Sequence, residues 1–129
     1  MKLLLDTHIW LWYLQGNSRL SDNLRQIMNS PDTELWLSPI SVWETIVLAE
    51  KGRIKLDRDP QVWVKRYLRS LNFKEARITH EIAMKSRFIQ LSHQDPADRF
   101  IAATALELDL TLATVDKRLL GLDWLSTVS

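Results

Sequence analysis

The 129-residue chain contains no cysteine. Disulfides, thiolate nucleophiles and cysteine-built zinc sites are thereby excluded, and a cytoplasmic location fits. Glycine is scarce at three residues, so few turns rest on left-handed backbone. No apolar run approaches the roughly 18 residues needed to span a bilayer. The opening run Leu3-Leu4-Leu5 is cut by Asp6 and has no small-residue cleavage site, so it is not read as a signal peptide. A dominant charge of one sign is missing too: the formal net charge is +1, which alone indicates no partner. Apolar residues make up 46% and charged residues 26%, enough apolar matter for one core, and a single domain over residues 1–129 is expected.

What is present is an alternation of short elements. Lys2 to Leu5 reads as a buried strand closed by Asp6, and Thr7 to Leu14 as a short helix. Ser21 to Ser30 forms a second helix, with Leu20, Leu24, Ile27 and Met28 at helical spacing. Glu34 to Ser38 is a strand. Ser38-Pro39 then starts a helix, Ser as N-cap and Pro at the first helical position, which runs to about Lys51 and stops at Gly52. Pro60 opens a helix with Val64, Tyr67, Leu68 and Leu71 on one face. Phe73 to Ile78 is a candidate strand, and Thr79 caps a helix ending near Phe88. Asp95-Pro96 opens a helix reaching Leu108. A strand follows from Leu110 to Val115, then a turn of helix from Asp116 to Leu120, then a strand near Trp124 to Val128. Strands alternating with helices predict an α/β fold with a mostly parallel sheet.

Asp6 and Asp116 fall at the C-terminal ends of predicted strands, the edge where open α/β sheets bind ligands. Taken singly, each would read as a helix N-cap. Glu44 shares a helix face with Ile40, Val47 and Leu48, so its carboxylate is expected to point inward and to need a partner. A cation and a basic side chain are both open as that partner. Asp95 has the form of an N-cap, and Asp98, three residues on, could complete a capping box. Asp98 also shares its face with Ile101, Ala102 and Ala105, whose small members let the helix approach the strand ends. Metal binding is therefore assigned to Asp98, and capping or an outer role at the site to Asp95. Two carboxylates about 4 Å apart repel by roughly 4 kcal/mol at a surface-like dielectric. With no matching cluster of Lys or Arg beside them, four gathered acids imply a divalent cation.

Thr114, at a strand end, could offer its hydroxyl to a bound water or phosphate, or serve only as a strand former. His8, His80 and His93 lack metal-ligand spacing and are read as surface or core residues, although His93 is close to the acids in sequence. Trp10, Trp12, Trp43 and Trp63 are read as packing. Ile9 to Leu14 carries more apolar surface than one short helix easily buries, which predicts an interaction patch. Residues 51–77 hold nine basic and three acidic side chains, a local balance of +6. That suits a polyanion, and it equally suits a solvated helix face.

Four stretches carry a resemblance. They are Leu4-Leu5-Asp6-Thr7-His8-Ile9-Trp10-Leu11-Trp12, Ser38-Pro39-Ile40-Ser41-Val42-Trp43-Glu44, the run from Asp95 to Ala105, and the run from Leu112 to Leu119. Together they resemble the PIN-domain family, in particular the VapC-like ribonuclease toxins of toxin–antitoxin pairs. The resemblance implies a five-stranded parallel sheet between helix layers, a three-layer α/β/α sandwich. It implies a Mg²⁺ or Mn²⁺ site built from Asp6, Glu44, Asp98 and Asp116, endoribonuclease activity, a small antitoxin partner and a homodimer. Arg99, Lys117 and the 51–77 segment are then candidates to hold the RNA backbone. A non-toxin nuclease of RNA processing and a non-catalytic binding module with the same fold are the alternatives. Aspartyl-phosphate chemistry is the weaker rival, because Thr7 and His8, not a further acid, follow Asp6.

Overall fold

Leu3, Leu4 and Leu5 are all fully buried, which fixes the place of their strand. A strand covered on both faces belongs in the middle of a parallel sheet. The computed structural model, which describes residues 1–129, puts it there. The strands are β1 (Lys2–Leu5), β2 (Glu34–Leu37), β3 (Phe73–Glu75), β4 (Thr111–Ala113) and β5 (Thr127–Val128). They run in the order β3-β2-β1-β4-β5, and every neighbouring pair is parallel.

The helices are α1 (Thr7–Gln15), α2 (Asp22–Asn29), α3 (Pro39–Glu50), α4 (Pro60–Ser70), α5 (His80–Phe88) and α6 (Pro96–Glu107). The two-residue period of β1 divides the core. Leu3 and Leu5 face a cluster with Trp10 of α1, Leu24 and Met28 of α2, and Trp63 of α4. Leu4 faces the opposite cluster, with Ile101, Ala102 and Ala105 of α6. Helices thus cover both faces, as the family resemblance implies. Trp10 fixes the first layer by standing edge-on to Trp63, 5.8 Å between ring centroids, and to Phe73, at 6.3 Å. No helix is long and apolar enough to cross a membrane.

Local chemistry sets most boundaries. Ser21, Ser38, Asp59, Thr79 and Asp95 each accept a backbone N–H at the helix start they precede. Gly16, at φ 62°, ends α1 by donating back to Trp12 and Tyr13. Some expectations fail. Asp116 to Leu120 is a hydrogen-bonded turn rather than helix, held by Leu119 N–H and Leu120 N–H on the Asp116 carbonyl at 3.0 and 3.1 Å. The last strand pairs only over two residues, because Leu125 and Trp124 turn into the α6-side core. The Ile9–Leu14 patch is not exposed: Ile9, Trp10 and Leu11 are buried and Trp12, Tyr13 and Leu14 half-buried, packed in the core beside α4. Trp43 is not a packing residue, being 58% exposed, and Phe88 is exposed at 79%.

Candidate active site

Each acid arrives on a different element. Asp6 lies between β1 and α1, and it is both cap and site residue. Its Oδ1 accepts the Thr7 N–H at 2.9 Å and its Oδ2 accepts the Thr114 hydroxyl at 2.7 Å. Thr114, fully buried, also accepts the Asp116 N–H at 3.0 Å. The Thr114 hydroxyl is therefore committed to ordering Asp6 and the turn after β4, which corrects its assignment to substrate. Glu44 sits half-buried on α3. Asp95 caps α6, accepting Ala97 N–H at 3.0 Å and Asp98 N–H at 3.4 Å. Asp98 follows in the first turn of α6, 9% exposed.

Asp6, Glu44, Asp98 and Asp116 line one cavity of about 400 Å³, with Asp95 at its wall. Size alone does not mark this site. A hollow of about 600 Å³ lies on the basic face of α4 beside Arg58, Lys65, Arg66 and Arg69. Charge marks it. Burial raises the Asp98 pKa to about 7, helped by the neighbouring charges of Asp6, Asp95, Asp116 and Glu44. Burial also pushes Asp6 up, against the lowering hydrogen bonds from Thr114 and Thr7. Glu44 rises through burial, opposed by the Thr7 hydroxyl and reinforced by Asp6 and Asp95. Asp116 moves the other way, because Arg118 holds it below the usual carboxylate range.

The Asp98 shift has a thermodynamic consequence. Its carboxyl titrates near 3.8 when unfolded and near 7 when folded. The folded state therefore favours the protonated form, and stability falls as pH rises from about 4 to 7, with no further loss from this group above that. At about 1.4 kcal/mol per pH unit, the loss reaches at most about 4 kcal/mol. Cation-free protein is expected to melt higher at pH 5.5 than at pH 8. Added Mn²⁺ should raise the melting temperature more at pH 8, where no proton must leave first. A cation-free melting temperature that rises from pH 5.5 to 8 would show Asp98 already ionised at the lower pH.

The expectation is of no matching cluster of Lys or Arg beside the acids, and the structure brings the single side chain of Arg118 there. Its Nη2 lies 2.9 Å from Asp116 Oδ2 and 3.5 Å from Asp98 Oδ2, and its Nε donates to Asp116 Oδ1 at 3.1 Å. Arg19, stacked over Trp12 at 5.9 Å, also lines the cavity. Lys117 is exposed in the turn beside it and is not among the lining residues. Arg99 is corrected outright: it is 4% exposed, and its guanidinium donates to the carbonyls of Ser86, Arg87, Ile89, Leu91 and His93 at 2.7–3.3 Å. No donor face remains for a phosphate. His93, passed over on spacing, has Nε2 3.7 Å from Asp98 Oδ2.

The donor set fits a hard divalent cation. Oxygen ligands of this kind suit Mg²⁺, Ca²⁺ and Mn²⁺. Donor atoms of His93, Asp98 and Asp116 lie within 4.8 Å of one another. Two guanidinium groups, Arg19 and Arg118, against five lining carboxylates leave this acidic cluster short of positive charge.

The PIN-domain family profile matches residues 3–125, and the chain belongs to that family. Ribonuclease VapC22 of Mycobacterium tuberculosis is 34% identical over 120 residues, covering 91% of this chain and 88% of that protein. Among solved structures, a toxin–antitoxin complex from Klebsiella pneumoniae is 25% identical with a TM-score of 0.68, over 98% of this chain and 96% of the other. DNA-bound VapBC from Salmonella typhimurium is 18% identical with a TM-score of 0.72, over 99% and 97%.

Proposed function

We propose that the chain is a divalent-cation-dependent endoribonuclease and the toxin of a toxin–antitoxin pair. The observation that carries this reading is the convergence of Asp6, Glu44, Asp98 and Asp116 on one cavity at the strand ends. The identity to Ribonuclease VapC22 supports RNA as the substrate. The four carboxylates would hold Mg²⁺ or Mn²⁺, which when bound lowers the pKa of a water and offsets charge on the scissile phosphate.

The chain's own residues supply the rest. Thr114 and the Thr7 N–H hold the Asp6 carboxylate in place. Glu44, with its raised proton affinity, is suited to take the proton of the attacking water on a carboxylate oxygen. Arg19 and Arg118 line the cavity as cations for the phosphate oxygens. The exposed Lys65, Arg66 and Arg69 of α4 offer a sequence-independent hold on more of the backbone. Water attacks phosphorus, the P–O3′ bond breaks and the 3′ oxygen leaves, so the products carry a 5′-phosphate and a 3′-hydroxyl.

A groove of about 380 Å³ runs beside Glu44 and Asp95, lined by Ile40, Trp43, Val47, Leu48 and Pro96. It suits the apolar face of a helix from a small antitoxin protein. The exposed Met84 and Phe88 of α5 are the surface proposed for a homodimer.

The test is cleavage of a generic RNA by the purified chain. Cleavage with Mg²⁺ or Mn²⁺, its loss with EDTA and 5′-phosphorylated products are expected. Intact RNA after incubation of folded protein with either cation would leave the fold serving as a binding module.

A further inference from the structure

His93 lies on the connection between α5 and α6, five residues before Asp98. Both ring nitrogens are shut off from solvent, and neither has a hydrogen-bond partner. A buried imidazole left in that state costs free energy, and native chains seldom leave one without a reason. Its Nε2 faces Asp98 Oδ2 at 3.7 Å, beyond hydrogen-bond reach. Adjacent ligands of one octahedral cation at about 2.1 Å stand roughly 3 Å apart, and opposite ones roughly 4.2 Å. The observed 3.7 Å exceeds the adjacent spacing by about 0.7 Å, which a small side-chain rotation closes, and an Asp116 oxygen completes a set of three donors within 4.8 Å.

The backbone that delivers His93 is also fixed with unusual care. Arg99 accounts for it. Its Nη1 donates to the His93 carbonyl at 3.2 Å and to the Leu91 carbonyl at 2.7 Å. Its other donors tie down Ser86, Arg87 and Ile89. A chain that commits a buried guanidinium to this connection holds the imidazole against the acids. Simple ion pairing of a protonated His93 with Asp98 is the competing account, and it predicts no bond to a metal.

We propose that the His93 imidazole is a nitrogen ligand of the divalent cation held by Asp98 and Asp116, and that it biases the site towards Mn²⁺ over Mg²⁺. Imidazole suits transition metals, whereas Mg²⁺ prefers oxygen donors and water. This inference rests on the reading of the acidic cavity as a cation site, and not on the identity of the substrate.

The experiment is electron spin-echo spectroscopy on the full chain loaded with Mn²⁺, which detects ¹⁴N bonded to the metal. Nitrogen modulation is expected in the wild type and in His8→Gln, the histidine that lines the cavity, and is lost in His93→Gln. Uniform ¹⁵N-histidine labelling of the wild type should replace the ¹⁴N pattern, which identifies the nitrogen as histidine without any substitution. In His93→Gln, Mn²⁺ affinity should fall by about 10–100-fold, and Mg²⁺ affinity by less than about threefold. Mn²⁺ bound without nitrogen modulation in the wild type overturns the inference and leaves the acidic site standing. Modulation lost in His8→Gln and kept in His93→Gln overturns it as well. Failure of the wild type to bind Mn²⁺ at all overturns both this inference and the cation site beneath it.

Discussion

Asp98→Asn is expected to lower RNA cleavage by on the order of 10³-fold, as loss of one preorganised electrostatic group at a reacting centre typically does. The same substitution should make the cation-free protein more stable at pH 8. The wild-type carboxylate is 9% exposed and faces Asp6, Asp95, Asp116 and Glu44, so its ionised form is the unfavourable one. An amide of the same shape removes that penalty, a gain of roughly 2–4 kcal/mol. The two effects together separate a functional acid from a structural one. A residue kept for the fold would lose stability when neutralised. Asp95→Asn provides the contrast. It keeps the cap, because Asn accepts the Ala97 N–H as well as Asp does, and most activity should survive. Rates on a labelled RNA and urea melts of both variants decide the matter. An Asp95→Asn protein as inactive as Asp98→Asn would mean that the catalytic and capping roles have been assigned to the wrong members of the pair.

Arg99→Met is expected to cost about 4 kcal/mol or more and to lower the melting temperature by on the order of 15 °C. Five backbone carbonyls lose this donor at once, those of Ser86 and Arg87 in the last turn of α5 and those of Ile89, Leu91 and His93 on the connection after it. Arg99→Lys should recover only part of the loss. An ammonium keeps the charge but presents three donors from one point, where the guanidinium spreads five over a plane. Thermal unfolding of the three proteins at pH 7 measures the series. A Met variant that melts within about 3 °C of wild type would show that water enters and replaces the side chain.

The central strand and the helix starts were legible because their causes are local. Leu3-Leu4-Leu5 can be satisfied only by burial on both faces, and Ser38-Pro39 and Asp95-Pro96 are complete capping signals in two residues. Placing Asp6 and Asp116 at strand ends, and Asp98 on the small-residue face of α6, was enough to foresee an acidic cluster. The groups that tune the cluster were not legible, because each acts across the fold. Arg99 was expected at the surface, where an arginine belongs by default, yet it is the best-satisfied polar group in the core. Thr114 looked available and is engaged by Asp6, 108 residues away. Arg118 was a residue beside Asp116 until the turn folded it back onto two carboxylates. His93 was judged by spacing to other histidines, a test blind to a carboxylate that α6 brings alongside. Trp43 was assumed to pack because tryptophan usually does, and α3 turns it to solvent.

The strand order also has a temporal meaning. β1 is made first, yet it gains its second neighbour only from β4. Translation proceeds from the N-terminus at about 5–20 residues per second, so the 108 residues from Asp6 to Thr114 take roughly 5–20 s to synthesise. Throughout that interval Asp6 has neither its hydroxyl partner nor Asp116 beside it, and Leu3 to Leu5 lack half their cover. A ribosome that stalls before Thr114 leaves a fragment without a cavity. For a chain that would hydrolyse RNA in the cell that makes it, the order of synthesis acts as a safety catch: the acidic cavity cannot close until Thr114 and Asp116 have been joined.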